Sequence, residues 1–127
     1  LYIADATNRA VRRLDLTTSR SSVLFQFTNA ARPVDVAVDP NTNVFVLSTG
    51  DDRIRQLNAN GGLVTNLTAV GALINPTALA LDTTSSNIYV VELGGTGVGV
   101  PILAKVQWSR PMSTPPAGYL SGLQFLL

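Results

Sequence analysis

The segment Pro33-Val-Asp-Val-Ala-Val-Asp39, followed by Val44-Phe-Val46, returns 43 to 44 positions later as Pro76-Thr-Ala-Leu-Ala-Leu-Asp82, followed by Ile88-Tyr-Val90. Short strands separated by turn signals and repeating at about 40 to 50 residues are the pattern of β-propeller blades, in which four-stranded antiparallel sheets stack around an axis. The repeat constrains architecture and leaves chemistry open, because no reaction can be read from these strands.

Each unit opens on a proline and an alternating apolar strand. Val34, Val36 and Val38 are predicted to share one face, as are Thr77, Leu79 and Leu81 with Ala78 and Ala80 between them. Asp39-Pro40-Asn41 and Asp82-Thr83-Thr84 follow, whose short polar side chains turn the chain by bonding to its backbone. The next strand occurs three times, as Leu1-Tyr-Ile-Ala4, Val44-Phe-Val-Leu47 and Ile88-Tyr-Val-Val91, so that Tyr2, Phe45 and Tyr89 fall in one column. An aromatic once per repeat suits the layer of about 10 Å between stacked sheets, and these three are the expected inter-blade packing residues.

Thr7-Asn-Arg9 and Thr49-Gly-Asp-Asp-Arg53 carry hairpin turn chemistry and announce a third strand. That strand is read at Val11-Arg-Arg-Leu14 and Ile54-Arg-Gln-Leu57, and in the third copy at Leu103-Ala-Lys-Val106, five residues later than the repeat predicts, after a stretch carrying Gly94, Gly95, Gly97 and Gly99. Outer strands are expected at Val23–Phe27, Leu63–Leu67 and within Tyr119–Leu127. The blades are thus assigned to residues 1–30, 31–72 and 73–127, the first lacking its innermost strand.

Pro33 to Asp39, Leu1-Tyr-Ile-Ala-Asp5 and Asp51-Asp-Arg-Ile54 resemble the blade pattern of the NHL-repeat β-propellers, which reads Pro-x-Gly-Val-Ala-Val-Asp, Leu-Tyr-Val-Ala-Asp and Asn-x-Arg-Ile. Pro76 to Asp82 matches less closely, and the resemblance extends over nearly the whole chain. It departs where Asp5 is replaced by Ser48 and Glu92, where Arg53 has Ala10 as its counterpart, and at the glycine-rich insertion. The resemblance implies an all-β fold of NHL-like blades and a role in interaction, without a ring of identical functional side chains.

About three blades fall short of the four or more that a closed propeller typically has. The chain is therefore expected to be an incomplete ring that leaves apolar sheet faces and unpaired edges. Further blades of a longer chain, or other copies of this one stacked head to tail, are the expected partners, and a head-to-tail contact either closes or propagates as a filament. Leu1 lies inside a strand pattern without Met or signal peptide ahead of it, which reads as a processed or partial product.

Composition narrows the function classes. The chain of 127 residues has 9 Lys and Arg against 8 Asp and Glu, so its net charge of +1 offers no field for nucleic acid or anionic membrane. Charged residues make up only 13%, whereas Ser, Thr and Asn number 9, 13 and 9, giving a neutral, hydroxyl-rich surface. Such a surface fits either a cover of glycans or neighbouring subunits, or simply a Thr-rich all-β domain. There is no His and no Cys. Imidazole catalysis, disulfides and Cys-based metal sites are thereby excluded, and no apolar run is long enough to span a bilayer as a helix.

The remaining candidates each have a plainer reading. Gly94-Gly-Thr-Gly-Val-Gly99 is not followed by Lys-Ser/Thr and reads as an extended rim loop rather than a phosphate cradle. Asp5, Asp39, Asp51, Asp52, Asp82 and Glu92 match no calcium-loop spacing, so no metal or cofactor is expected. Arg9, Arg12, Arg13, Arg53 and Arg55 cluster in the third strands without aromatic interleaving, and are expected to pair with Asp or to blunt a strand edge rather than to bind RNA. Asn66-Leu-Thr68 is the single N-x-[ST] sequon and makes Asn66 a candidate N-glycosylation acceptor; Ser113 and Thr114, in a Pro- and Ser/Thr-rich tract, are candidate O-glycosylation sites.

The function expected from the sequence is a non-enzymatic interaction or structural scaffold, extracellular or at the cell surface, within a larger or multi-chain, glycosylated and filamentous assembly. The alternative is a partial lobe of a propeller hydrolase or lyase whose active-site residues lie mostly outside this chain. On the innermost strands that alternative has mainly Asp35 to offer as a carboxylate.

Overall fold

The computed structural model of the chain describes residues 1–82 and 87–93, together with the backbone of 101–107 and 123–126. The described residues are all-β, with eleven strands in three antiparallel sheets and no helix. The first sheet holds β1 (Tyr2–Asp5), β2 (Ala10–Asp15) and β3 (Arg20–Gln26) in sequence order. The second holds β4 (Arg32–Val38), β5 (Val44–Thr49), β6 (Arg53–Leu57) and β7 (Leu63–Asn66). The third holds β8 (Pro76–Asp82), β9 (Asn87–Leu93), β10 (Pro101–Gln107) and β11 (Leu123–Leu126).

Each sheet is a meander whose neighbours in sequence are neighbours in space, as in propeller blades. The second sheet lies between the other two and supplies both layers of the core. Val44, Val46 and Leu57 face the first sheet and bury against Val11, Phe27 and Ala31, with Tyr2, Leu24, Phe25 and Val36 packed around them. Phe45, Leu47 and Ile54, on the opposite pleat, face the third sheet and bury against Leu73, Leu79, Ile88 and Val90. Strand β5 is buried along both faces, from Val44 to Ser48, because successive side chains point to opposite sheets and both sheets are present. The fold is an incomplete propeller, a stack of three antiparallel sheets with the second between the other two.

One expectation is corrected. Val34 does not share a face with Val36: it packs against the cluster facing the third sheet, whereas Val36 packs toward the first. The cause is a β-bulge. Pro33 pairs with Ser48 and Asp35 with Leu47, so Val34 is an extra residue that reverses the alternation. Strand β8 repeats the irregularity, with Pro76 opposite Glu92 and Ala78 opposite Val91.

Candidate functional site

The bulge in each inner strand leaves a backbone N–H out of its ladder, and a buried N–H needs an acceptor. Asp35 supplies one for both strands. Its Oδ1 accepts the N–H of Val36 at 2.8 Å and its Oδ2 accepts the N–H of Leu79, on β8 of the next sheet, at 2.8 Å. Ala78 occupies the position equivalent to Asp35 and has no acceptor to offer. The half-buried carboxylate that sequence reading offered to an enzyme lobe is thus committed to joining two inner strands.

The face of the second sheet turned toward the first carries a buried ionic cluster. Asp51, in the β5–β6 turn, ion-pairs with Arg55, and the Ser48 hydroxyl donates to Asp51 Oδ1 at 2.7 Å. Arg55 Nη1 donates to Ser48 Oγ at 2.6 Å, and the guanidinium lies 4.9 Å from the centre of the Phe27 ring contributed by the first sheet's end. Arg53 Nε lies 3.6 Å from Asp51 Oδ2. Because Arg55 and Asp51 are both buried, their mutual neutralisation and the Phe27 ring face are what make this charge tolerable between sheets.

The first sheet has the same device with its parts exchanged. Asp5, Asn8 and Arg12 lie 43 positions before Ser48, Asp51 and Arg55. Arg12 Nε donates to Asp5 Oδ2 at 2.7 Å, and the Asn8 amide donates to the same oxygen at 2.8 Å. The Asn8 side chain, then Arg12, then the Asn8 backbone N–H hold the Asp5 carboxyl below the usual carboxylate range. Sequence comparison registers the loss of Asp5 at Ser48 as a departure. The structure shows that the acid moves three positions on, to Asp51, so each Arg keeps one carboxylate. The intervening turn is conserved in geometry too: Arg9 and Asp52, again 43 apart, have φ of 52° and 47°.

In the third sheet the strand-end acid is Glu92, fully buried, whose Oε1 accepts the N–H of Ile74 at 2.9 Å and so fixes the segment leading into β8. Asp39 closes the β4–β5 turn by accepting the N–H groups of Asn41 and Asn43, each at 2.9 Å. Asp15 accepts from the N–H groups of Thr17 and Thr18, which lower its pKa. Among the described residues no group of three or more acids is placed to hold a metal ion.

The aromatic column divides among three environments. Phe45 is buried between the second and third sheets, Tyr2 is half-buried against the layer between the first and second, and Tyr89 is half-buried on the outer face of the third. Arg12, Arg13, Arg53 and Arg55 lie on β2 and β6, which are flanked by strands on both sides, so they do not blunt sheet edges. Asn66 is exposed on β7, at the edge of the second sheet, while the hydroxyl of Thr68 in the same sequon is buried and accepts the N–H of Ile54 at 2.9 Å. Gly94 to Gly99, Ser113 and Thr114 lie outside the described residues.

No protein-family model and no curated protein matches the chain. Among solved structures, a chain of a nidogen/laminin complex is similar at a TM-score of 0.70 with 18% sequence identity, over 84% of this chain and 39% of that one. At that identity the likeness establishes the β-propeller-like fold. The chain spans well under half the length of its structural neighbour.

Proposed function

We propose that this chain is a non-enzymatic, NHL-like propeller module that serves as a protein-interaction or structural scaffold and works when further blades cover its two open faces. The observation that carries this reading is the commitment of its inner carboxylates. Asp35 holds two backbone N–H groups, Asp51 holds Arg55, Asp5 holds Arg12, and Glu92 holds Ile74, so the acids that an enzyme lobe would need are joining strands and sheets. The structural neighbour is a component of a nidogen/laminin complex, and it supports an extracellular or cell-surface setting with protein partners for this chain. In that setting Asn66, Ser113 and Thr114 are glycan acceptors, and head-to-tail repetition of blades yields a ring or a filament.

An assay of the purified chain against lactones and aryl esters tests the catalytic alternative. Hydrolysis is expected to equal that of buffer. Turnover that is lost in Asp35→Asn, in protein shown by circular dichroism to retain its strands, overturns the scaffold reading in favour of a hydrolase lobe. Intact-mass measurement on native material tests the glycans separately, and a mass equal to that of the polypeptide removes them.

A further inference from the structure

Asn60-Gly61 is the single Asn-Gly step in the chain, since none of the other asparagines is followed by glycine. That dipeptide carries chemistry of its own. Where no side chain shields the following residue, its backbone nitrogen gives up its proton and attacks the asparagine Cγ. A bond forms from that nitrogen to Cγ, the bond from Cγ to Nδ2 breaks, and the amine departs with the proton as ammonia. Water then opens the cyclic imide at either carbonyl. One opening gives aspartate, and the other gives isoaspartate, with an extra carbon in the main chain.

The tip of the β6–β7 hairpin sets the reactants up and holds them apart. Asn60 is exposed, so its amide and the water that follows are both at hand. The nucleophile is not, because the Gly61 N–H donates to the Asn58 carbonyl at 2.9 Å and the Asn58 N–H to the Gly62 carbonyl at 2.9 Å. Asn58 Oδ1 fastens the same turn by accepting the N–H groups of Asn60 at 2.9 Å and Gly62 at 3.0 Å. The tip is also seated on the first sheet. Gly61 lies so close to the Leu24 carbonyl that no Cβ would fit, and Arg13 Nη1, from β2, donates to the Ala59 carbonyl at 3.4 Å. Cyclisation consumes the Gly61 N–H and swings its nitrogen onto the Asn60 side chain, so the bond to Asn58 and the seat on Leu24 must both open first.

We infer that Asn60 is a self-modifying site gated by the fold: it converts to aspartate or isoaspartate as the β6–β7 tip opens, and conversion unseats the second sheet from the first. The reaction needs water alone, with no partner and no cofactor, and it stands apart from the scaffold reading. Isoaspartate makes it one-way in structure as well as in chemistry. The longer main chain between position 60 and Gly61 cannot restore both the bond to Asn58 and the contact with Leu24.

The purified chain is incubated at mildly alkaline pH, in buffer and in denaturing urea, and conversion is read by peptide mapping and by labelling with an isoaspartyl methyltransferase. Asn60 is expected to convert at least tenfold faster in urea than in buffer, and faster than every other asparagine. Asn58→Ala, which leaves Asn60-Gly61 intact, is expected to raise the rate in buffer at least threefold and to leave the rate in urea unchanged. Asn58→Asp keeps the acceptor and is expected to stay at the wild-type rate in buffer, a comparison that holds even where Asn58→Ala loses its strand signal in circular dichroism. The converted chain, separated by its added negative charge, is expected to melt below the unconverted one. Absence of conversion at Asn60 in urea overturns the site. Equal rates in buffer and urea, a rate in buffer indifferent to Asn58→Ala or raised as much by Asn58→Asp, or equal melting of the two forms overturns the gate.

Discussion

Replacing Asp35 by Ala removes the acceptor of two backbone N–H groups at once, those of Val36 and Leu79, and leaves both bulges without their partner. An unsatisfied donor in a partly buried position costs about 1 to 3 kcal/mol, so Asp35→Ala is expected to lower stability by about 2 to 4 kcal/mol in urea unfolding, and Asp35→Asn, which keeps one oxygen, by less. A loss below ~0.5 kcal/mol for the alanine variant would show that water replaces the carboxylate. Asp5 behaves differently because it responds to pH. Its pKa lies below the ordinary value of 3.8 in the folded chain, through Asn8 first and Arg12 second. A depressed carboxylate stabilises the fold above its unfolded pKa, and that contribution is lost as pH falls through the folded value. The drop in Tm between pH 5 and pH 2.5 is therefore expected to be smaller in Asp5→Asn than in wild type; an equal drop would assign acid sensitivity to other groups. These residue-level roles were only partly legible. The aromatic column announced itself because its members stay in register, whereas the exchange of Asp5 and Asn8 for Ser48 and Asp51 is visible only when the triad is compared as a unit.

Strand order was legible because each strand is short, alternating and bounded by turn residues, and eleven of them fit a meander. The bulges were not. Val34 continues the Val-x-Val alternation of its strand, so nothing in its side chain marks it as the extra residue; the bulge is set by pairing to β5, a long-range property. Turns joining these strands carry information of another kind. Gly61, between β6 and β7, has φ of 85°, and a Cβ placed there would lie 1.9 Å from the carbonyl oxygen of Leu24. Leu24 is itself the extra residue of the bulge in β3, where Val11 pairs with Phe25 and Arg12 with Val23. The hairpin tip of one sheet therefore seats on the bulge of another, and only glycine fits both the backbone conformation and the space. Gly61→Ala is expected to cost about 1 to 2 kcal/mol from the left-handed conformation alone, and more from displacement of the first sheet. Thermal unfolding reads the sum, and an unchanged Tm would mean that the two sheets do not meet at this tip.

At the scale of the whole molecule, stability is graded from the centre outward. The second sheet is packed on both faces: β5 is buried from Val44 to Ser48 and β6 from Ile54 to Leu57, while β7 is exposed along its length. Local opening follows the burial and packing of each element. Native-state hydrogen exchange is accordingly expected to be slowest in β5 and β6 and faster in β1 and β3, whose sheet has a partner on one face only. Breaking the Asp51–Arg55 pair strikes at that centre, because it strands a buried guanidinium against Phe27. Removing one member of a buried pair costs about 3 to 5 kcal/mol, so Asp51→Ala is expected to accelerate exchange in β5 and β6 by at least a hundredfold, bringing them to the rate of β1. Acceleration confined to the turn around Asp51 would place the pair outside the cooperative core.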